Sequence, residues 1–205
     1  SHSIKYTVEG DWSNAAFLLV AGAIAGEITL QGADLNSAQG DKNIMQALYD
    51  SGADVKLTKK DITVHKAPLK AFEFDATHCP DLFPPLVALA SYCKGKTMIK
   101  GVNRLLFKES NRAISLRDEF KKMNIEVELN GDWMTIKGGS EIKGAKVSSH
   151  NDHRIAMAAA VVALSAKGNT IIENAEAVKK SYPDFYKDLK AIKINTSNTK
   201  KMDVI

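Results

Sequence analysis

The sequence predicts an α/β (α+β) domain: a pseudo-threefold repeat of βαβαββ units with buried inner helices and outer sheets. Three observations predict it. Ala- and Gly-rich apolar stretches recur at 13–26, 81–95 and 152–168, each followed by a short strand at 28–30, 97–99 and 170–172. A helix that is apolar nearly all round is buried on every side. The glycines closing those stretches, Gly26, Gly95 and Gly168, recur at spacings of 69 and 73 residues (95 − 26 and 168 − 95). Glycine just past a helix is the expected left-handed stop. The intervening segments also keep register, since Val55 and Val127, like Ile62 and Met134, lie 72 residues apart (127 − 55 and 134 − 62).

In chain order, the first unit (about 4–66) carries an inner helix at 13–26 and an amphipathic helix at 42–51. A hairpin follows, with strands at 54–57 and 62–64 joined by the turn formers of 58–61. The second (about 70–138) repeats this with helices at 81–95 and 112–123 and strands at 126–129 and 133–136 around Asn130-Gly131-Asp132. The third (about 144–192) has helices at 152–168 and 183–192 and loses the final hairpin. The whole of 4–192 reads as one closed domain. Ser1-His2-Ser3 reads as the remnant of an expression tag, and the polar tail 193–205 is expected to fray.

Composition narrows the classes of function. The chain has 205 residues, 44% hydrophobic and 25% charged, which is enough for a substantial core. A formal charge of +4 without a basic, aromatic-interleaved stripe suits acidic small molecules and argues against nucleic acid. Cys79 and Cys93 stand alone, without a second pair or histidines at ligand spacing, so neither a disulfide framework nor a zinc site is expected. The apolar runs, of about a dozen residues, are too short to span a bilayer, and a cytoplasmic protein is expected.

If the repeat closes on itself, the N-terminal ends of the inner helices converge. They bring Glu9-Gly10-Asp11, Pro80-Asp81 and Asn151-Asp152-His153-Arg154 together. Helix N-termini favour anions through unpaired N–H groups and partial positive charge. Arg154 adds a fork suited to carboxylate or phosphate oxygens. Beside them fall Lys108, Glu109 and Arg112 at the entry to the second unit's outer helix, and Lys179-Lys180 before the third unit's. Singly, Asp81 would read as a helix cap, Glu109 and Arg112 as a surface ion pair, and Lys180 as a solvated lysine. Together they form a set in which cations hold an anionic substrate and carboxylates move protons.

Gly10-Asp11 before an Ala-rich helix, Pro80-Asp81, Lys108-Glu109-x-x-Arg112, Asn151-Asp152-His153-Arg154-x-Ala156-Met157 and Lys180-x-x-Pro183-Asp184 occur in this order. In that set, from about Tyr6 to about Ile192, the chain resembles the 5-enolpyruvylshikimate-3-phosphate synthases, or 3-phosphoshikimate 1-carboxyvinyltransferases. The resemblance implies an enolpyruvyl transferase-like domain of the C-terminal type, half of a two-domain enzyme whose site lies in the cleft between domains. It implies that the 5-hydroxyl of shikimate 3-phosphate attacks phosphoenolpyruvate and that phosphate leaves. It further implies Asp81 as base, Glu109 as acid, and Arg112, Arg154 and Lys180 as cations for phosphoenolpyruvate. Lys108 would touch shikimate 3-phosphate, and His153 would support the site by orienting Arg154. No metal or organic cofactor is implied, and the intact enzyme is expected to be monomeric. Arg104 stands where the family often has a polar amide. Without the N-terminal domain the chain is expected to be inert. Two alternatives remain: the sister enolpyruvyl transferase acting on UDP-N-acetylglucosamine, and a non-catalytic anion-binding or interaction module.

Overall fold

Two of the three inner helices begin at a carboxylate that accepts from their first free N–H groups. The computed structural model describes residues 8–59, 61–191 and 193–194; the expected tag remnant 1–3, the start of the first unit from about 4 to 7 and the tail 195–205 lie outside them. In the first unit, α1 (Trp12–Ala25) is capped by Asp11, whose carboxylate accepts from the Ser13 and Asn14 N–H groups. It runs straight into β1 (Gly26–Gln31). A 3-10 turn, Gly40–Asn43, leads into α2 (Ile44–Asp50), and the hairpin follows as β2 (Asp54–Leu57) and β3 (Asp61–His65).

The second unit opens with β4 (Glu73–Asp75), then a 3-10 turn at Pro80–Leu82 and α3 (Phe83–Tyr92). One continuous helix from 81 was expected. Pro84 and Pro85 lack the N–H that a helix interior requires, so the regular helix starts beside them and Asp81 lies in the tighter turn before it. β5 (Gly95–Lys100), a 3-10 turn at Val102–Leu105, α4 (Arg112–Lys122), β6 (Glu126–Asn130) and β7 (Trp133–Gly138) complete the unit. The third unit has β8 (Lys146–Ser148), α5 (His153–Ala163), β9 (Ile171–Glu173), a 3-10 turn at Ala175–Lys180 and α6 (Phe185–Ala191).

Gly95 and Gly168 have left-handed φ of +118° and +93°, but α3 ends at Tyr92 and α5 at Ala163, short of the expected 95 and 168, so neither glycine is the residue that stops its helix. Gly26 is instead extended, at φ −174°, because α1 gives way to β1 without a turn.

α1, α3 and α5 pack against one another, and their alanines and leucines are almost wholly buried. Small residues let the helices approach the sheets closely. A Cβ on Gly22 would sit 2.6 Å from Ile28 Cγ2 and 3.0 Å from the Val64 carbonyl oxygen. A Cβ on Gly138 would sit 2.0 Å from the Ala90 carbonyl oxygen.

Among the described residues two units carry four-stranded sheets, ordered β10 (Lys193–Ile194)-β1-β3-β2 and β4-β5-β7-β6, and the third carries β8 paired with β9 alone. β4 lies parallel to β5, and β8 parallel to β9. In the first sheet the corresponding edge is taken by β10 (Lys193–Ile194), antiparallel to Gly26 and Glu27. Lys193 and Ile194 therefore pair with the first sheet, where a frayed tail was expected. Among the described residues no helix is long and apolar enough to cross a membrane.

Candidate active site

The symmetry brings together the turn before α3, the entry to α4 and the start of α5. Arg112, the first residue of α4, is the hub, and its side chain is only 2% exposed. Nε and Nη2 donate to the Asp152 carboxylate at 2.9 and 3.2 Å, a bidentate grip. Nη1 donates to Asp81 Oδ1 at 2.8 Å, and Nη2 lies 3.8 Å from Glu109 Oε2. A guanidinium has five donor hydrogens, so one hydrogen on Nη1 is left over after these contacts. Asp152 is fully buried and also caps α5, accepting from the Arg154 N–H at 2.9 Å.

Asp81 does not cap α3. Its carboxylate receives Lys108 Nζ at 3.0 Å and Arg112 on Oδ1, and Arg154 Nη2 at 3.3 Å on Oδ2. Burial would raise its pKa; Arg154, then Lys108 and Arg112, outweigh burial and hold it below the ordinary value. Burial would likewise raise Asp152, and Arg112 brings it down.

Arg154 Nη2 also donates to Ser13 Oγ at 3.1 Å, and that hydroxyl bonds the α1 cap Asp11 at 2.8 Å. Arg154 Nη1 is buried without a hydrogen-bond partner. A cationic donor left in that state is costly unless an anionic oxygen meets it. Lys180 is drawn in from the end of its 3-10 turn, where Nζ donates to the Asn151 carbonyl.

His153 was expected to orient Arg154, but it turns to Glu109, with Nδ1 at 2.8 Å from Oε2. That is an ion-pair distance, and both ring nitrogens are buried without a hydrogen-bond partner. Burial, more than any neighbouring charge, lowers the His153 pKa and favours the neutral ring. Glu109, Asp152 and His153 each bring a ligand atom within 4.8 Å of the others. With Arg112 already seated on both carboxylates, this cluster is an ion-pair network rather than a built cation site.

All seven residues singled out in the sequence therefore gather on one face: Asp81, Lys108, Glu109, Arg112, His153, Arg154 and Lys180. The face is open, with Asp81 and Glu109 side chains 29% and 40% exposed.

A family model described as EPSP synthase (3-phosphoshikimate 1-carboxyvinyltransferase) matches residues 1–189. The chain belongs to the EPSP synthase family. The 3-phosphoshikimate 1-carboxyvinyltransferase of Methanopyrus kandleri is 40% identical over 189 residues, covering 92% of this chain and 44% of the relative. That of Brachyspira hyodysenteriae is 41% identical over 191 residues, covering 92% and 46%. Among solved structures, the EPSP synthase of Acinetobacter baumannii superposes with a TM-score of 0.80 at 27% identity, over 90% of this chain and 46% of that one. The enolpyruvyl transferase NikO of Streptomyces tendae, with a TM-score of 0.69 at 19% identity, shares the fold. The chain thus spans a little under half the length of the EPSP synthases it matches.

The sequence reading passed over three contributors. Asp152 was read as part of a motif, yet its carboxylate anchors the hub. Ser13 was read as the start of an apolar helix, yet it holds Arg154. Asp41 sits in the turn before α2, among charges that include Asp81, Arg154, Asp11 and Lys108. Burial first, and Asp81 next, push its pKa up to about 6. The repeat held the signal for Asp41. Asp41 stands at the entry to the first unit's outer helix, the counterpart of Arg112 in the second unit and of Lys180 in the third.

Proposed function

We propose that this chain supplies one wall of the site that transfers the enolpyruvyl group of phosphoenolpyruvate to the 5-hydroxyl of shikimate 3-phosphate, releasing phosphate. The observation that carries the reading is the pair Arg154 and Asp81: a buried guanidinium with an unpartnered nitrogen beside a carboxylate held ionised by three cations. Arg154, the spare donor of Arg112 and Lys180 hold the phosphate and carboxylate of phosphoenolpyruvate. Lys108 contacts shikimate 3-phosphate.

Asp81 takes the proton of the 5-hydroxyl as its oxygen bonds to C2 of phosphoenolpyruvate, and Glu109 gives a proton to C3. The tetrahedral adduct then loses a C3 proton and expels phosphate, restoring the double bond in the enolpyruvyl ether. His153 lies beside Glu109. The chemistry needs no metal or organic cofactor.

An open face cannot exclude water or surround the developing charge. The chain therefore works with an N-terminal domain of the kind the family carries, as a cytoplasmic, monomeric enzyme of aromatic amino acid biosynthesis, and is inert alone. The test is phosphate release from both substrates with this chain, with a separately made N-terminal domain of a relative, and with the two mixed. Release is expected only from the mixture, and Asp81→Asn should lower it about 10²-fold or more. Turnover by this chain alone would overturn the claim that it is inert. Silence from a folded, associated mixture would turn the reading toward an anion-binding module.

A further inference from the structure

α4 holds the turn before α5 by two handles, and the proposed reaction uses only one of them. Arg112 and Glu119 lie seven residues apart, two helical turns, on the same buried face of α4. Arg112 grips Asp152, as described. Glu119 reaches the other end of the same turn. Its side chain is 4% exposed, and Oε2 accepts from the Ser148 N–H at 2.8 Å and from Lys122 Nζ at 2.6 Å. Oε1 meets His150 Nε2 at 2.8 Å.

The turn it holds is an unusual one. His150 and Asn151 are consecutive non-glycine residues with φ of +51° and +57°. Such backbone persists where the surroundings over-determine it. Two further supports are local: Ser148 Oγ accepts from the His150 N–H at 3.1 Å, and Ser149 Oγ from the Asn151 N–H at 3.1 Å. Ser149 is tied in turn to Asn174. Glu119 joins this turn to α4, as Lys180 joins it to the 3-10 turn Ala175–Lys180. Directly after the turn come Asp152, which caps α5, and Arg154, whose N–H bonds Asp152; Lys180 holds the Asn151 carbonyl.

We infer that Glu119 is a positioning residue: through Ser148 and His150 it fixes the left-handed His150–Asn151 turn and thereby aims Arg154 into the site. Burial would raise the Glu119 pKa, and Lys122, the Ser148 N–H and His150 together bring it below the ordinary value. That matches a carboxylate built to receive three donors. Glu119→Gln keeps the shape, removes the charge and replaces one of the two acceptor oxygens by an NH2. His150→Ala removes one donor without stranding a buried charge. Lys122→Ala, which removes only the half-exposed partner, serves as control.

The first readout uses the chain as it stands and no substrate: amide hydrogen exchange by residue, with the Arg154 Nε–Hε resonance. In E119Q and H150A, exchange at residues 148–154 should quicken by about tenfold or more. The Arg154 resonance should move, α1 and α3 should stay protected, and K122A should resemble wild type. Unchanged exchange at 148–154, or acceleration spread equally through the domain, would overturn the inference, as would an unmoved Arg154 resonance.

The second readout rests on the proposed function. In the assembled enzyme E119Q should raise KM for phosphoenolpyruvate more than it lowers kcat. Equal KM values in an active enzyme would overturn the aiming role. An inactive wild-type assembly would count against the proposed reaction alone, since exchange decides the brace without it.

Discussion

Arg112 Nη1 lies 2.8 Å from Asp81 Oδ1 while the same guanidinium holds Asp152 in two places. The turn before α3, the start of α4 and the cap of α5 are thereby fixed to one planar group. This also creates a tension. A carboxylate saturated by Arg112, Lys108 and Arg154 is a weak base, held below its ordinary pKa. An anion arriving on Arg154 and Lys108 would draw those cations away and strengthen the base at the moment it is needed.

Inorganic phosphate should accordingly raise the Asp81 pKa. Carboxyl-carbon NMR titration with and without saturating phosphate checks this, and an upward displacement is expected. Asp75, whose pKa is lowered chiefly by its own Thr77 rather than by the site, serves as the internal reference and should not move.

Removing the hub should be severe. Arg112→Ala leaves the buried Asp152 carboxylate without its bidentate partner, a loss of about 3–5 kcal/mol for a broken buried pair. The urea midpoint should fall with little change in slope. Because Asp152 is held below its ordinary pKa, the stability its pairing contributes is present above the unfolded-state value and is lost as pH falls through the folded one. The gap between wild type and R112A should therefore narrow in acid.

Asp41 carries the opposite sign. Its pKa rises from 3.8 to about 6 through burial and then Asp81. The folded state holds a proton that the unfolded state releases, so this contribution is full below about 3.8 and is lost as pH rises through about 6. Asp41→Asn should leave stability unchanged near pH 3 and raise it above pH 6. The expected gain is about 1–2 kcal/mol once solvent screening of a half-buried group is allowed for. In Asp81→Asn the Asp41 pKa should drop below 6. Denaturation midpoints of Asp41→Asn across pH, and carboxyl NMR of Asp41 in the Asp81→Asn variant, check the two.

The inner helices were legible because their signal is one of composition: an all-apolar stretch can only be buried. The hairpins were legible because a 72-residue register fixes both strands at once. The sequence was silent on β10, because two residues of a polar tail carry no period, and on the broken start of α3, where Pro84 and Pro85 outweighed an apolar run. In the site, charged residues at helix entries were found by position. Their pairing was not, since which oxygen Arg112 takes depends on side-chain reach across three units. His153 shows this: adjacent in sequence to Arg154, it faces Glu109 across the site. Glu119 escaped because a glutamate on an amphipathic helix reads as solvated until its face is known to be buried.

Arg154 offers the sharpest separation of fold from function. One of its terminal nitrogens contributes to structure through Ser13 and Asp81, while Nη1 is buried and unpartnered. Arg154→Lys keeps a charge able to meet Asp81 and removes the orphaned donor, so stability should stay within about 1 kcal/mol of wild type. Lysine lacks the planar fork for a phosphate or carboxylate. Phosphoenolpyruvate binding to this chain should therefore weaken by about tenfold or more, near 1.4 kcal/mol, by calorimetry at fixed salt, while the denaturation midpoint holds. If affinity held and stability fell instead, Arg154 would be a structural residue and the anion would belong elsewhere on the face.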